Sequence, residues 1–305
     1  MAAVLNKENL SDFKSPVVEN ENTISVIIPI YNEEKSIKNV VEQLQEVLSN
    51  SGTKYEIIVI DDGSTDRSPE VLKGIDGITS IRHPKNIGYG GAIKTGMKNA
   101  KGDIIVITDG DGTYPNEMIP ELLKDIGEND MVVGARSKSD SNIPLMRKPI
   151  KWLLGKLANY LSETDIPDLN SGLRVFKKNE ALRFYRMFPS GFSFTTTITL
   201  AMHCNGYNVK YVPIKYGKRE GKSKINPIKD TLNFIQLIWR TIMYFSPLKV
   251  FLPIAGIIFV GFMVSSFIDI FISENLTDKT VILFLAFIQV SVLGLLADLI
   301  VKRTP

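Results

Sequence analysis

The chain is poor in the residues that build disulfides and zinc centres. Among 305 residues it has one cysteine, Cys204, and two histidines. An intramolecular disulfide is therefore excluded, and neither a zinc site nor a Cys-His nucleophile pair is expected. No GxxxxGK[ST] stretch occurs, which excludes a P-loop. The net charge of +3 is too small to indicate nucleic acid as a partner. A single cysteine fits a reducing compartment.

Long apolar runs are also missing up to about Ser246, but two follow it. Val250–Ile272 and Val281–Ile300 each approach the roughly 20 residues that a membrane-spanning helix needs. A soluble hairpin of buried helices is the alternative, although two consecutive runs of this length rarely fit inside a globular core. We therefore expect an integral membrane protein, whose two apolar helices also offer a surface for a homo-oligomer.

Basic residues around these runs predict their orientation. Lys249 precedes the first run, and Lys302 and Arg303 follow the second, whereas the connecting loop has a single lysine, Lys279, beside acidic residues. The positive-inside rule then places the large N-terminal part and the C-terminal end in the cytoplasm. Residues 1–22 are polar and predict a disordered or extended lead rather than a cleavable signal.

The part before the apolar runs alternates between strand-like and helical patterns. Helical periodicity covers Glu33–Leu48, a second helix follows the glycine-rich stretch Gly88–Gly96, and a third begins at Pro115. This alternation predicts a doubly wound α/β domain with a mostly parallel sheet. The predicted strands are Ile24–Ile30, Tyr55–Ile60, Thr79–His83, Ile104–Thr108 and Met131–Ala135.

Two amphipathic stretches, Met146–Leu161 and Pro227–Phe245, do not fit the alternation. Each could be a helix packed on the core. Their basic flanks, and the position of the second stretch just before a predicted membrane span, favour interfacial helices on the cytoplasmic leaflet.

Carboxylates follow three of the predicted strands. Asp109-Gly110-Asp111 ends the fourth, and both carboxylates can face one cation because alternate residues of an extended chain point the same way. Two hard oxygen ligands suit Mg²⁺ or Mn²⁺ shared with substrate phosphates; a solvated acidic turn is the alternative. Glu33 and Asp62 follow the first two strands. Strand ends of this kind line one crevice. A nucleotide sugar bound with a divalent metal would supply hydroxyl groups and positive charge to the carboxylates of this crevice.

The motifs, taken in order, resemble those of the family 2 GT-A glycosyltransferases. The matching stretches are Val26–Glu33, Glu56–Asp66, Asp109–Asp111 and Gly134–Arg136. Asp168–Arg174 and Arg219–Lys224 resemble the branch that makes polyprenyl-phosphate sugars, which includes dolichol-phosphate mannose synthases and bactoprenol-phosphate glucosyltransferases. The paired C-terminal apolar runs look most like the bacterial members.

This resemblance implies a set of site residues. The catalytic group would comprise Asp111, Asp168 and Arg219, with Asp109 and Asp111 holding Mg²⁺ or Mn²⁺. The acceptor phosphate would contact the basic segment, through Arg219, Lys222, Ser223 and Lys224, with the choice between Lys222 and Lys224 left open. The donor would contact Pro29, Tyr31, Glu33, Ile60, Asp62, Asp109, Gly110, Asp111 and Arg136. One departure is Thr113, where the synthases often have a glutamine that binds the metal.

The implied reaction is inverting transfer of a hexose from a UDP- or GDP-sugar to undecaprenyl or dolichyl phosphate at the membrane. A hydroxyl acceptor is the alternative; it would need a base, for which Asp168 is the candidate. A noncatalytic membrane scaffold is a third interpretation. The expected units are the lead 1–22, a GT-A domain 23–226, a juxtamembrane helix 227–247 and a two-helix membrane domain 248–305.

Overall fold

The computed structural model describes residues 23–136, 155–156, 158–160, 163–191, 193–217, 239, 243–244, 246–273 and 275–303. The strands within these ranges are β1 (Ile24–Ile30), β2 (Tyr55–Asp61), β3 (Ile78–Arg82), β4 (Ile104–Ile107), β5 (Met131–Arg136), β6 (Arg174–Lys177) and β7 (Val209–Ile214). The α-helices are α1 (Ile37–Ser49), α2 (Ser68–Lys73), α3 (Tyr89–Asn99), α4 (Ile119–Asp125), α5 (Lys178–Leu182), α6 (Phe194–Cys204), α7 (Leu248–Ile268) and α8 (Asp278–Arg303).

The described strands form one seven-stranded sheet in the order β3-β2-β1-β4-β6-β5-β7. All neighbouring pairs are parallel except those of β6, which runs antiparallel to both β4 and β5. The five predicted strands are present, and the predicted GT-A-like, mostly parallel sheet is confirmed. The pattern did not reveal β6 or β7: β6 has four residues, and it begins and ends with the charged residues Arg174 and Lys177.

The sheet is covered on both faces by helices that pack on the apolar side chains of β1, where Ser25 is the one polar residue. Val26 and Ile28 pack with Leu44 of α1 on one face, whereas Ile27 packs with Ile93 of α3 on the other. All seven residues of β1 are buried, as expected for a central parallel strand between two layers of helices. The core therefore holds the carboxyl ends of β1, β2 and β4 in a fixed relation.

The two apolar runs form a helical hairpin. Helix α7 continues through a π-helical turn, Asp269–Ser273, and α8 returns beside it. Only 11% of the most apolar window of each helix is buried, and Leu252 and Ile257 are 70% and 74% exposed. The core helix of a soluble protein is mostly buried, whereas these two helices are mostly exposed. By length, composition and exposure they are candidate membrane spans.

An ion pair connects the hairpin to the α/β domain. Lys249 Nζ, near the start of α7, lies 2.6 Å from Glu163 Oε1. The predicted lead 1–22, most of the amphipathic stretch Met146–Leu161 and nearly all of Pro227–Phe245 lie outside the described residues. Their prediction as a disordered lead and as interfacial helices stays a prediction.

Candidate active site

The candidate active site lies at the carboxyl edge of the parallel strands. The register pairs Ile30 with Asp61 and Ile27 with Ile107, so the turns after β1, β2 and β4 emerge at the same edge. Open α/β sheets bind their ligands at this edge. Pro29 and Ile60 are direct cross-strand partners and are buried, while Tyr31 and Glu33 are half-buried beyond the end of β1.

The Asp109–Asp111 turn is held by hydrogen bonds on both sides. The Tyr89 hydroxyl donates to Asp109 Oδ1 at 3.0 Å. Asp111 Oδ1 accepts from the Thr113 N–H at 3.1 Å and from Thr113 Oγ1 at 2.6 Å. Gly110 between them is buried, and its carbonyl accepts from Ser36 Oγ at 2.8 Å. Both aspartates are half-buried, which leaves them accessible to a ligand.

These two carboxylates provide the chemistry that a hard divalent cation requires. Within the described ranges, no group of three or more His, Cys, Asp or Glu side chains could hold a metal ion. Two protein carboxylates are nevertheless enough for Mg²⁺, which usually takes one or two carboxylates and completes its shell with water and substrate phosphates. The donor set therefore suits a cation shared with a diphosphate and does not suit a metal enclosed by protein ligands.

Asp62 is 3% exposed and already accepts several protein hydrogen bonds. Its Oδ1 binds His83 Nδ1 at 2.7 Å and the Ile87 N–H at 2.9 Å, and its Oδ2 accepts from the Gly88 N–H at 2.8 Å. The carboxylate thus fixes the loop that enters α3. Its predicted contact with a nucleoside stays a prediction, and a nucleoside would share Asp62 with these donors.

Asp168 and Arg136 form a bidentate ion pair. Arg136 Nε and Nη2 donate to Asp168 Oδ2 and Oδ1 at 2.7 and 2.9 Å, and the Arg136 N–H adds a third bond at 3.1 Å. Burial alone would raise the pKa of Asp168, but the hydrogen bonds and charge of Arg136 outweigh it and hold that pKa below its ordinary value. Asp168 is therefore a stable carboxylate and a weak base.

Two tyrosines connect this ion pair to the Asp109 turn. The guanidinium of Arg136 lies over the ring of Tyr216 at 5.4 Å, and Tyr216 meets Tyr114 edge to face at 5.0 Å. The Tyr114 hydroxyl accepts the Gly172 N–H at 2.6 Å. Burial raises the pKa of Tyr114 above its ordinary value, so its hydroxyl stays neutral beside Asp109.

Arg174 closes the Asp168–Arg174 motif and is fully buried. Its guanidinium donates to the carbonyl oxygens of Ser171 and Thr195 and to Thr199 Oγ1. These bonds join the start of β6 to the first turns of α6. Arg174 therefore stabilises the packing of β6 against α6, and these bonds satisfy its buried N–H donors.

The predicted basic segment lies outside the described residues, including Arg219, Lys222, Ser223 and Lys224. The described chain ends just before it at Gly217, whose N–H donates to the carbonyl oxygen of Thr113 at 2.9 Å. The sequence therefore enters the basic segment from a point beside the Asp111 turn.

Comparison with known families decides the class. The model of the family described as "Glycosyl transferase family 2" matches residues 25–188, more than half of the 305 residues. The chain belongs to glycosyl transferase family 2. A second model, "GtrB C-terminal hairpin", matches residues 246–302. The family 2 match contains all predicted donor-site residues and Asp168, whereas the basic segment 218–224 falls in neither matched region.

Curated proteins that are similar to this family 2 chain are named as hexosyl- or mannosyltransferases. A dolichyl-phosphate hexose transferase from Haloferax volcanii is 29% identical over 67% of this chain and 87% of its own length. A dolichol-phosphate mannosyltransferase from Pyrococcus furiosus is 31% identical over 71% of this chain and 63% of its own length. The chain spans about half, 51%, of a low-salt glycan biosynthesis hexosyltransferase from H. volcanii, at 30% identity over 68% of this chain.

A solved structure shares the fold. Glucosyl-3-phosphoglycerate synthase from Mycobacterium tuberculosis, in complex with Mn²⁺, UDP and phosphoglyceric acid, aligns with a TM-score of 0.58. It is 17% identical, and the alignment covers 72% of this chain and 78% of that one. At this identity the likeness confirms the GT-A-like fold predicted for the family 2 domain.

Several residues of the family 2 site were not predicted from the sequence. Tyr89 and Tyr114 contact Asp109 and Gly172, and His83 contacts Asp62. Tyr89 lies in the stretch Gly88–Gly91, whose spacing and place after β3 do not match a dinucleotide motif. Glycines that permit close backbone approach were the available signal, but they do not reveal which side chain points at the site.

Proposed function

We propose that this protein transfers a hexose from a nucleotide diphosphate sugar to a polyprenyl phosphate at the membrane surface, with inversion at the anomeric carbon. Support comes from the family 2 domain, from the names of the dolichyl-phosphate relatives and from the match to the GtrB hairpin. The donor would be a UDP- or GDP-hexose and the acceptor undecaprenyl or dolichyl phosphate.

The donor end of the site would use the carboxyl edge of β1, β2 and β4. Pro29, Tyr31, Glu33, Ile60 and Asp62 would border the nucleoside. Asp109 and Asp111 would hold Mg²⁺ or Mn²⁺, which when bound supplies positive charge to the diphosphate leaving group. Arg136, held by Asp168 and stacked over Tyr216, would present its remaining edge to the phosphates.

The acceptor end favours a phosphate over a hydroxyl. A phosphate monoester has a second pKa of about 6 and is mostly dianionic at neutral pH, so its oxygen attacks without a strong base. Asp168, the candidate base for a hydroxyl acceptor, is engaged by Arg136 and has a lowered pKa. The pair therefore supports a role for Asp168 in shaping the site and orienting Arg136, with Arg219 and Lys222 or Lys224 binding the lipid phosphate.

Membrane attachment would bring the acceptor to the enzyme. The hairpin exposes apolar side chains along both helices, and the Glu163–Lys249 ion pair joins the start of the hairpin to the α/β domain. We propose the domain order 23–226, 227–247 and 248–305 on a cytoplasmic catalytic face, with the hairpin as the surface for any homo-oligomer. A cytoplasmic face would meet nucleotide sugars where they are made.

One observation carries this proposal: a family 2 domain with accessible Asp109 and Asp111 is followed by a hairpin whose apolar windows are only 11% buried. The test uses the full chain in lipid nanodiscs with Mn²⁺ or Mg²⁺ and a panel of UDP- and GDP-hexoses. Undecaprenyl phosphate, dolichyl phosphate and the two matching free alcohols serve as acceptors, and mass spectrometry detects the products. We expect hexosylated lipid phosphates and no product from the alcohols. Equal product from the alcohols, or none from either phosphate, would contradict the proposal.

A further inference from the structure

Tyr89, the first residue of α3, takes no part in the proposed reaction, yet its hydroxyl touches one of the proposed metal ligands. It donates to Asp109 Oδ1 at 3.0 Å. The two residues are 20 positions apart in the sequence, so the contact is made by the fold and not by a local turn. By contrast, the matching contact on Asp111 comes from Thr113, two residues along its own turn.

The backbone around Tyr89 fixes the direction of its side chain. Gly88 has φ of +99°, which a residue with a Cβ rarely adopts. Gly90 packs so closely on the segment 189–191 that an added Cβ would overlap the carbonyl oxygen of Pro189. The N–H groups of Gly90 and Gly91 donate to the carbonyls of Gly191 and Ser190 at 3.2 and 2.9 Å. The start of α3 is therefore anchored, and Tyr89 points at Asp109.

The backbone of Gly172, near the start of β6, packs closely against the Asp109 carboxylate. A Cβ on Gly172 would lie 2.9 Å from Asp109 Oδ2 and 3.0 Å from Oδ1. Gly172 is itself held by the bond from its N–H to the Tyr114 hydroxyl at 2.6 Å. The carboxylate thus lies between a donating hydroxyl and a closely packed backbone.

We propose that Tyr89 is a positioning residue that holds the Asp109 carboxylate in the orientation needed to bind a divalent cation. This inference rests on the proposed function for its metal. Hydrogen bonds to ligating carboxylates fix their orientation, and losing such a partner typically lowers metal affinity 10- to 100-fold. A hydroxyl that merely satisfied its own hydrogen bond would leave metal affinity unchanged when removed.

The test compares Tyr89→Phe with Tyr185→Phe in the full chain in nanodiscs. Tyr185 is a matched control, because its hydroxyl donates to the Lys94 carbonyl of the same helix at 3.4 Å. Electron paramagnetic resonance of free Mn²⁺ measures metal binding in the presence of UDP or GDP, against a nucleotide blank without protein, because substrate phosphates complete the shell of the cation. We expect Tyr89→Phe to bind Mn²⁺ about 10- to 100-fold more weakly. The Mn²⁺ concentration for half-maximal transfer should rise in parallel, with kcat restored at saturating Mn²⁺, and Tyr185→Phe should match wild type.

Mn²⁺ affinity in Tyr89→Phe within twofold of wild type would overturn the inference, as would a lowered kcat at saturating Mn²⁺ with unchanged affinity. If Tyr89→Phe does not fold, Gly172→Ala tests the same orientation from the other side, and wild-type Mn²⁺ affinity there would also overturn it. Wild-type protein that binds no Mn²⁺ in the presence of either UDP or GDP would instead refute the metal assignment. Wild-type protein that binds Mn²⁺ but transfers no sugar to a lipid phosphate would refute only the proposed reaction.

Discussion

The N–H of Gly217 donates to the carbonyl oxygen of Thr113 at 2.9 Å, and Thr113 in turn donates twice to Asp111. Gly217 is the residue before the basic segment Lys218–Lys224. The turn that carries a proposed metal ligand is therefore hydrogen-bonded to the chain that leads into the proposed phosphate-binding residues. This connection supports assigning both to one site.

Arg219→Ala and Lys224→Ala are expected to reduce kcat/KM for the lipid phosphate about ten- to a hundredfold. A hydrogen bond to a charged group contributes roughly 1.5–3 kcal/mol, and each variant loses such a contact. Steady-state transfer assays in nanodiscs measure the effect, with Lys222→Ala included to distinguish the two lysines. Lys101→Ala, at an exposed site before β4, is the control. If Arg219→Ala and Lys224→Ala have the same kcat/KM as this control, the basic segment is solvated and does not bind the lipid phosphate.

Asp111→Asn is expected to abolish transfer while the protein stays folded. The amide oxygen of asparagine can still accept the two Thr113 hydrogen bonds, whereas it lacks the negative charge that a hard cation prefers. The matched control is Asp103→Asn. Asp103 is exposed and precedes the first residue of β4, so this variant should retain activity. Substantial turnover by Asp111→Asn, with an unchanged melting temperature, would refute the metal assignment.

The sequence predicted the strands β1 to β5 and the position of the acidic turn, because these depend on local patterns. Ile24–Ile30 is apolar apart from Ser25, and the observed strand has the same bounds. The sequence did not predict the neighbours of the carboxylates, because these are set by packing over long separations. His83 reaches Asp62 and Tyr89 reaches Asp109 only after β3 and α3 have packed. Likewise, β6 has only four residues, of which the first and the last are charged, so its sequence shows no strand periodicity.

Asp168→Asn is expected to lower the melting temperature at pH 7, because it breaks an ion pair whose carboxylate is 9% exposed. Removing one partner of a fully buried pair costs about 3–5 kcal/mol, and the cost here is expected to be smaller because the Arg136 side chain is 27% exposed. The folded pKa of Asp168 is lowered, so the pair stabilises the fold above the unfolded pKa of about 3.9. That stabilisation is lost as the pH falls through the folded pKa.

The difference in melting temperature between wild type and Asp168→Asn should therefore shrink below about pH 4. Thermal unfolding in detergent between neutral and acid pH measures it. Asp165→Asn, three positions away and exposed, should behave like wild type throughout. A difference that stays constant with pH would show that Asp168 stabilises the fold by some means other than its charge.

The membrane orientation predicts which introduced thiols react. A cysteine at Asn275, in the loop between α7 and α8, should be labelled in intact cells by an impermeant maleimide, and one at Thr304 should not. Burial raises the pKa of the native Cys204 thiol to about 11, so it contributes little background, and Cys204→Ser removes the remainder. The reverse labelling pattern would place the family 2 domain away from cytoplasmic nucleotide sugars and contradict the proposed reaction.

In the proposed reaction, an oxygen of a lipid phosphate displaces the nucleoside diphosphate in one step. Polyprenyl phosphate carrying ¹⁸O in its non-bridging oxygens tests this, with ¹³C NMR of product made from donor labelled at the anomeric carbon. A one-step displacement predicts an ¹⁸O isotope shift on that carbon, and an anomeric configuration opposite to that of the donor. Product without the shift, or with the donor's configuration retained, would contradict it.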